Sequence, residues 1–436
     1  MKKVDLIRVL KYGTKAAEER LERISRRNLI FDKEHIDKVS SILEAVRETG
    51  DKAVKHFTKK FDGVTIKQFK VQKQELDVAL KSVDRKFTEV LLEAIDNVRR
   101  YHERQKQNSW FIHEPDGTML GQRILPFERV GLYVPGGTAA YPSTVIMNAV
   151  PAQVAGVEEV NVVTPPQRNG RPHPLVLATC RLLGIENVFS VGGAQAIAAL
   201  AYGTESIPRV DKIVGPGNMY VAIAKKLVYG DVAVDMIAGP SEVVIIADET
   251  ANAVELGADL LAQAEHDVNA ASILISTDPS LAQKVSMELS KLISRLSRKA
   301  IAEQSIMKNG VIFVVSNSTE AATLVNRIAP EHLEIVTEKN WDILTKIRNA
   351  GAVFLGRYTP EPVGDYFAGP SHVLPTGGTA RFSSVLTVDD FLKKSSVIHY
   401  SREKFFQNAW KVEVFAKNEG LTAHAMSIKI RKERGR

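Results

Sequence analysis

Val130-Gly131-Leu132-Tyr133-Val134-Pro135-Gly136-Gly137 reads as an apolar strand that runs into a proline-glycine turn. The unit recurs. Val160–Val163 ends in Thr164-Pro165-Pro166, Val188–Val191 in Gly192-Gly193, and Lys212–Val214 in Gly215-Pro216-Gly217. Helix-compatible stretches such as Pro174–Leu183 and Tyr220–Val228 lie between them. Strand, turn and helix in repetition predict a parallel α/β sheet. The pattern restarts after Ile237-Ala238-Gly239-Pro240. Val243–Ile246, Ser272–Ser276, Val311–Val315, Leu333–Val336 and Ala352–Leu355 are its expected strands, with Ala251–His266 and Leu281–Leu296 as helices. The expected fold is therefore α/β, with two Rossmann-like α/β domains facing a cleft. Ligands of open α/β folds gather outside the carboxyl ends of the strands, so the cleft is expected between those ends.

Outward from this centre the pattern changes. Residues 1–110 read as helical: Val39, Ile42, Leu43 and Val46 fall at helical spacing, as do Phe87, Val90, Leu91, Ala94, Val98 and Tyr101. Gly50 and Phe61-Asp62-Gly63 break this region into separate helices. From about Arg381 the alternation lapses. The expected division is a helical N-terminal region, 1–127, packing with 242–380 as one discontinuous α/β domain; a Rossmann-like domain, 128–241; and a small C-terminal appendage, 381–436.

The chain has 436 residues, 44% hydrophobic and 25% charged, as ordinary globular chains do. That excludes a disordered chain, a collagen-like fibre and a disulfide-stapled miniprotein. A single cysteine, Cys180, excludes an intrachain disulfide and a Cys-based zinc finger, and fits a reducing compartment such as the cytoplasm. It lies in an apolar helix pattern and reads as a packing residue, not a thiolate nucleophile. The charged start, Lys2, Lys3, Asp5 and Arg8, is not that of a secretory signal. Val130 to Val157 is uncharged and long enough to span a bilayer, but Pro135, Pro142 and Pro151 interrupt it. It reads as buried strand, loop and helix, and no membrane partner is expected. The net charge of +7 owes much to the last ten residues, which carry five basic groups and one acid. They lack interleaved aromatics, so a solvated, frayed end is expected rather than a nucleic-acid partner.

There is no Walker loop and no GxGxxG; Gly215-Pro216-Gly217-Asn218 comes nearest. Glycine turns after strands let backbone N–H groups approach a pyrophosphate, yet any α/β fold needs such turns. Gln263 and His266 are spaced to share one helix face and a ligand, though such a pair is more often a surface pair. Glu331-His332 offers two proton-transfer groups at a helix-to-strand junction, with an exposed turn as the plain alternative. Asp365, His372, Glu419 and His424 lie in irregular segments and say little singly.

Read together, the segments say more. Gly131-Leu132-Tyr133-Val134-Pro135-Gly136-Gly137, Val191-Gly192-Gly193-Ala194-Gln195-Ala196 and Gly215-Pro216-Gly217-Asn218 resemble signatures of histidinol dehydrogenases. So do Ala238-Gly239-Pro240-Ser241-Glu242, Gln263-Ala264-Glu265-His266-Asp267 and Pro330-Glu331-His332-Leu333-Glu334. Val363-Gly364-Asp365-Tyr366, Gly369-Pro370-Ser371-His372 and Glu419-Gly420-Leu421-Thr422-Ala423-His424 complete the order.

The resemblance implies a zinc- and NAD-dependent enzyme that oxidises L-histidinol to L-histidine through histidinal, with two NAD, as the last step of histidine biosynthesis. It implies one Zn²⁺ per subunit, held by Gln263, His266, Asp365 and His424. Ser241, His372 and Glu419 match substrate contacts, joined by the metal ligands and His332. Tyr133, Gln195 and Asn218 match NAD contacts in the 128–241 domain. Glu331 and His332 match the catalytic pair. A homodimer with shared active sites is implied, its C-terminal segment reaching the partner subunit. Two rival classes remain at this point. One is a paralogue acting on another polar alcohol, such as a sulfonated diol, which Glu419 and His424 disfavour. The other is a metal- or nucleotide-binding module, which has no use for an acid–base pair.

Overall fold

The structure, a computed structural model, describes residues 6–25, 32–136, 140–237 and 239–435. Lys2, Lys3, Asp5, Gly137 and Ala238, named above, lie outside the described residues.

The N-terminal region is not wholly helical. A strand, β1 (Arg8–Lys11), precedes helices α1 (Lys15–Ser25), α2 (Lys33–Thr49), α3 (Asp51–Asp62), α4 (Lys73–Ser82) and α5 (Arg85–Glu103). Two short strands follow, β2 (Trp110–His113) and β3 (Met119–Pro126). The first α/β series is β4 (Arg129–Tyr133), α6 (Pro142–Ala155), β5 (Glu159–Thr164), α7 (Pro174–Leu182), β6 (Asn187–Ser190), α8 (Gly193–Tyr202), β7 (Lys212–Val214), α9 (Met219–Val228) and β8 (Ala233–Val234). Its five strands pair in parallel in the order β6-β5-β4-β7-β8. That is the Rossmann order of a doubly wound sheet.

The second series is β9 (Glu242–Ala247), α10 (Ala253–Ala264), β10 (Ala271–Ser276), α11 (Pro279–Leu292), α12 (Lys299–Asn309), β11 (Val311–Val314), α13 (Ser318–Ile328), β12 (His332–Val336), α14 (Asn340–Leu344), β13 (Ala352–Leu355) and α15 (Glu361–Tyr366). Its sheet runs β1-β11-β10-β9-β12-β13, parallel throughout. Every residue of β9 is buried. Val243, Ile245 and Ala247 face α10–α12, while Val244 and Ile246 face α1 and α13. A strand covered on both faces reads as a continuous apolar run, which is why it lacked alternation. Each such Val or Ile contributes about 1.5–3 kcal/mol of burial.

The N-terminal helices are shared between the sheets. β1 and α1 complete the second sheet. The α2 stripe of Val39, Ile42, Leu43 and Val46 instead packs with Ile197 and Leu200 of α8 on the first. The 1–127 region therefore does not pack with 242–380 alone; its apolar stripes answer whichever helix layer lies against them.

A second compact unit comprises residues 106–126 and 392–436. It starts at Leu392 rather than 381, and it takes in β2 and β3. Its elements are β14 (Leu392–His399), α16 (Arg402–Asn418) and α17 (Thr422–Arg434), and β14 lies antiparallel to β3 in the sheet β14-β3-β2. The basic end, expected to fray, is helical as far as Arg434. Lys432 Nζ donates to Glu413 Oε1 of α16 at 2.7 Å, and Arg431 donates to Ser427 O one turn back.

The uncharged run Val130–Val157 holds most of β4 and all of α6, with Pro142 at the helix start and Pro151 inside it. Among the described residues no helix is long and apolar enough to cross a membrane.

Candidate active site

The Glu331-His332 pair enters the second sheet by an unusual turn. Helix α13 stops at Ala329, whose φ of 53° is the left-handed region that non-glycine residues avoid. Pro330 and Glu331 follow, and their carbonyls accept the N–H groups of Gly351 and Ala352 at 2.9 Å each. A Cβ on Gly351 would stand 2.6 Å from Glu331 O, so only glycine allows this approach. The pair is no exposed turn: Glu331 is 5% exposed and His332 4%.

Glu331 Oε2 accepts the Glu242 N–H at 3.0 Å. Burial pushes its carboxyl up to about 7, against the opposing pull of His332. His332 Nδ1 lies 3.2 Å from Glu242 O, 3.7 Å from Glu331 Oε2 and 4.0 Å from Glu361 Oε1. Its Nε2 is 3.7 Å from Asp365 Oδ1 and has no hydrogen bond. Burial works against the charged imidazole, yet Glu361, Glu331 and Asp365 together hold its pKa well above the ordinary value. Asp365 is half-buried, but the imidazoles of His332, His372 and His266 keep its carboxyl below the usual range. His372 Nδ1 sits 2.9 Å from Asp365 O, and burial pushes its imidazole below the ordinary value.

A group of metal-ligating atoms adjoins the pair. His266, Glu361 and Asp365 each offer one donor atom, and these lie within 4.8 Å of one another. Gln263 is fully buried, and neither atom of its amide has a hydrogen-bond partner. An orphaned buried amide calls for a ligand. These nitrogen and oxygen donors fit a divalent cation of the zinc class. Helix α10 ends at Ala264, so His266 lies just past it, its N–H on Gln263 O at 3.2 Å, and it is exposed, not on a helix face. Glu361 is the residue that sequence reasoning missed. It precedes Asp365 by one turn of α15, and its place between Pro360 and Pro362 carries no metal-binding pattern. Its burial, its 4.0 Å approach to His332 and its unpartnered Oε2 mark it.

These candidate groups lie at the amino ends of the second sheet, not its carboxyl ends. Ser241 and Glu242 enter β9, Glu331 and His332 enter β12, and Gln263 and His266 precede β10. Chain direction is set by pairing across the sheet, which local pattern does not reveal.

The first sheet does present its carboxyl ends. Tyr133 closes β4 buried, and its hydroxyl accepts the Gly193 N–H at 3.1 Å at the start of α8. Gln195, two residues on in the same turn of α8, is 1% exposed with both amide atoms unpartnered. Asn218 caps α9, its Oδ1 accepting from Tyr220 and Val221 at 3.0 and 3.2 Å, which leaves its amide nitrogen for a ligand. Cys180 is buried in α7, and desolvation pushes its thiol up to about 12. Glu419 and His424 belong to the second unit, on either side of Gly420, and both are exposed there.

Known proteins bear on this arrangement. The sequence model of the histidinol dehydrogenase family matches residues 25–432. Histidinol dehydrogenase of Bacillus subtilis is 54% identical over 396 residues, 91% of this chain and 93% of that one. That of Aquifex aeolicus is 53% identical over 416 residues, 95% and 96% of the two chains. The crystal structure of histidinol dehydrogenase from Elizabethkingia anophelis superposes with a TM-score of 0.93 at 34% identity, covering 99% of each chain. A match of this extent, on a fold that buries Glu331 and His332 beside a ring of metal-ligating donors, means that the chain belongs to the histidinol dehydrogenase family.

Proposed function

We propose that this chain oxidises L-histidinol to L-histidine through histidinal, passing two hydrides in turn to two NAD, as the last step of histidine biosynthesis in the cytoplasm. The observation that carries the reading is the buried Glu331–His332 pair, one carboxyl tuned to about 7 beside an imidazole, in a chain of this family.

The 128–241 domain holds NAD through Tyr133, Gln195 and Asn218. The unpartnered amide of Gln195 supports that role. Ser241, His372 and Glu419 bind the substrate. Bound among Gln263, His266 and Asp365 with the partner subunit's His424, one zinc per subunit would orient the substrate's imidazole and amino nitrogens and draw charge from the carboxylates facing His332.

His332 accepts the hydroxyl proton while the carbon gives its hydride to the first NAD. Glu331 then takes a proton from the water that adds to the aldehyde. His332 deprotonates the resulting hydrate, and a second hydride leaves. Alcohol, water and two NAD⁺ thus become carboxylate, two NADH and three protons. No thiolate is needed, in keeping with the buried Cys180.

The test is NADH formation with histidinol as the substrate. Two NADH per histidinol are expected, with histidine as product. One NADH with accumulating aldehyde, or none, would overturn the reading.

The shared-site part has its own test. Glu331→Gln/His332→Ala and His424→Ala variants are mixed and allowed to exchange subunits. In a mixed dimer with shared sites, one site carries all the lesions and the other none, so activity should return. Proven exchange without recovery means that His424 serves its own chain.

A further inference from the structure

Lys225 and Asp235 form an ion pair in the interior, with side chains 3% and 1% exposed. Neither touches the candidate chemistry. Both hold one glycine. Asp235 Oδ2 accepts the Gly215 N–H at 2.8 Å, and Lys225 Nζ donates to Gly215 O at 3.0 Å. Asp235 Oδ1 takes the other end of the pair and also accepts the Met236 N–H at 2.6 Å.

Gly215 opens the turn between β7 and α9 with a φ of 110°. A Cβ there would stand 2.2 Å from Tyr133 O, so the turn is pressed against the end of β4. Tyr133 in turn fixes the Gly193 turn through its hydroxyl. Lys225 lies on α9, the helix that Asn218 caps. One buried pair thus ties the Gly215 turn to the helix that follows it and to the exit of β8, with Tyr133 as the stop on the other side.

Two buried charges are a poor way to stabilise a core, because their desolvation offsets most of their attraction. Apolar residues of like volume would do as well for stability. What they would not do is hold both polar groups of Gly215 in one direction.

We infer that Lys225 and Asp235 are positioning residues for nucleotide binding, fixing the Gly215–Asn218 turn against Tyr133. The inference rests on the reading of Tyr133 and Asn218 as NAD contacts. The pair acts through the backbone and touches no reactant.

The experiment uses the zinc-loaded full chain. It compares wild type, Asn218→Ala, Lys225→Met/Asp235→Asn and Lys225→Met/Asp235→Leu. For each, the melting temperature, NAD affinity by titration, and KM for NAD and for histidinol are measured. Both double variants are neutral, so neither leaves a lone buried charge. The Asn version keeps an acceptor for the Gly215 N–H; the Leu version does not. NAD affinity and KM should weaken by about tenfold in the Leu version, as expected for one lost hydrogen bond to a charged group. The Asn version should fall between it and wild type, and KM for histidinol should move less than about twofold in both. If the Leu version does not fold, the Asn version alone carries the comparison. A folded double variant that binds NAD as wild type does, while Asn218→Ala binds it weakly, overturns the positioning role. If Asn218→Ala itself binds NAD normally, the nucleotide reading fails instead. Losses of melting temperature alone, with NAD affinity unchanged, mean a merely structural pair and also overturn the inference.

Discussion

Glu331→Gln is expected to slow the oxidation of histidinal by about 10²–10⁴-fold, the usual worth of one general base. The alcohol-to-aldehyde half should slow far less, because water is activated only once the aldehyde exists. The substitution is clean. A glutamine oxygen can still accept the Glu242 N–H that Glu331 Oε2 holds at 3.0 Å, so geometry survives and basicity does not. The pH profile supplies a second measurement. Burial raises the Glu331 carboxyl to about 7, and a base must be ionised to act. The wild-type aldehyde half should therefore quicken as pH rises through about 7. In the glutamine variant the part of that rise centred near 7 should vanish, leaving only the titration of His332. Single-turnover assays begun from histidinol and from histidinal separate the halves. Equal slowing of both would remove Glu331 from the water step.

Chelation is expected to abolish turnover, and added Zn²⁺ to restore it. The expectation rests on donors already in place: His266, Glu361 and Asp365 around one point, and a Gln263 amide with nothing to bond. His266→Ala should lose the metal as measured by elemental content, not only by rate. The metal-free protein should also melt lower, since a ligand at a thousand times its Kd stabilises the folded state by about 4 kcal/mol. A metal-free protein running at full rate would sink the assignment. The same measurement decides the donor set. If Glu361→Gln loses metal while Gln263→Leu keeps it, Glu361 is a ligand and Gln263 is not.

Much of the site was legible in local sequence. The glycine turns after β4, β6 and β7 are written in residue type, and Tyr133, Gln195 and Asn218 lie beside them, but only the resemblance singled those three out. Glu331 and His332 are adjacent, so their meeting needed no fold. Glu361 was not legible. A glutamate between two prolines looks like any surface turn until its neighbours are known. The two readings that spacing favoured, a surface Gln263 and an exposed Glu331-His332 turn, failed for the same reason: periodicity gives the face of an element, not what covers it.

The α/β repeat, the apolar runs of the second sheet, the stripe on α2 and the ordered motifs are local features. Backbone sterics and side-chain period set them within a few residues, so the chain alone sufficed. Strand pairing and burial are not local. Pairing sent β1 into the second sheet with β11 and joined residues 106–126 to 392–436. It also turned the second sheet so that its amino ends carry the Glu331–His332 pair. Burial among distant segments raised the Glu331 carboxyl to about 7 and set three carboxylates around His332. Those shifts arise from desolvation and from charges brought within a few ångströms, and only the packed chain creates either.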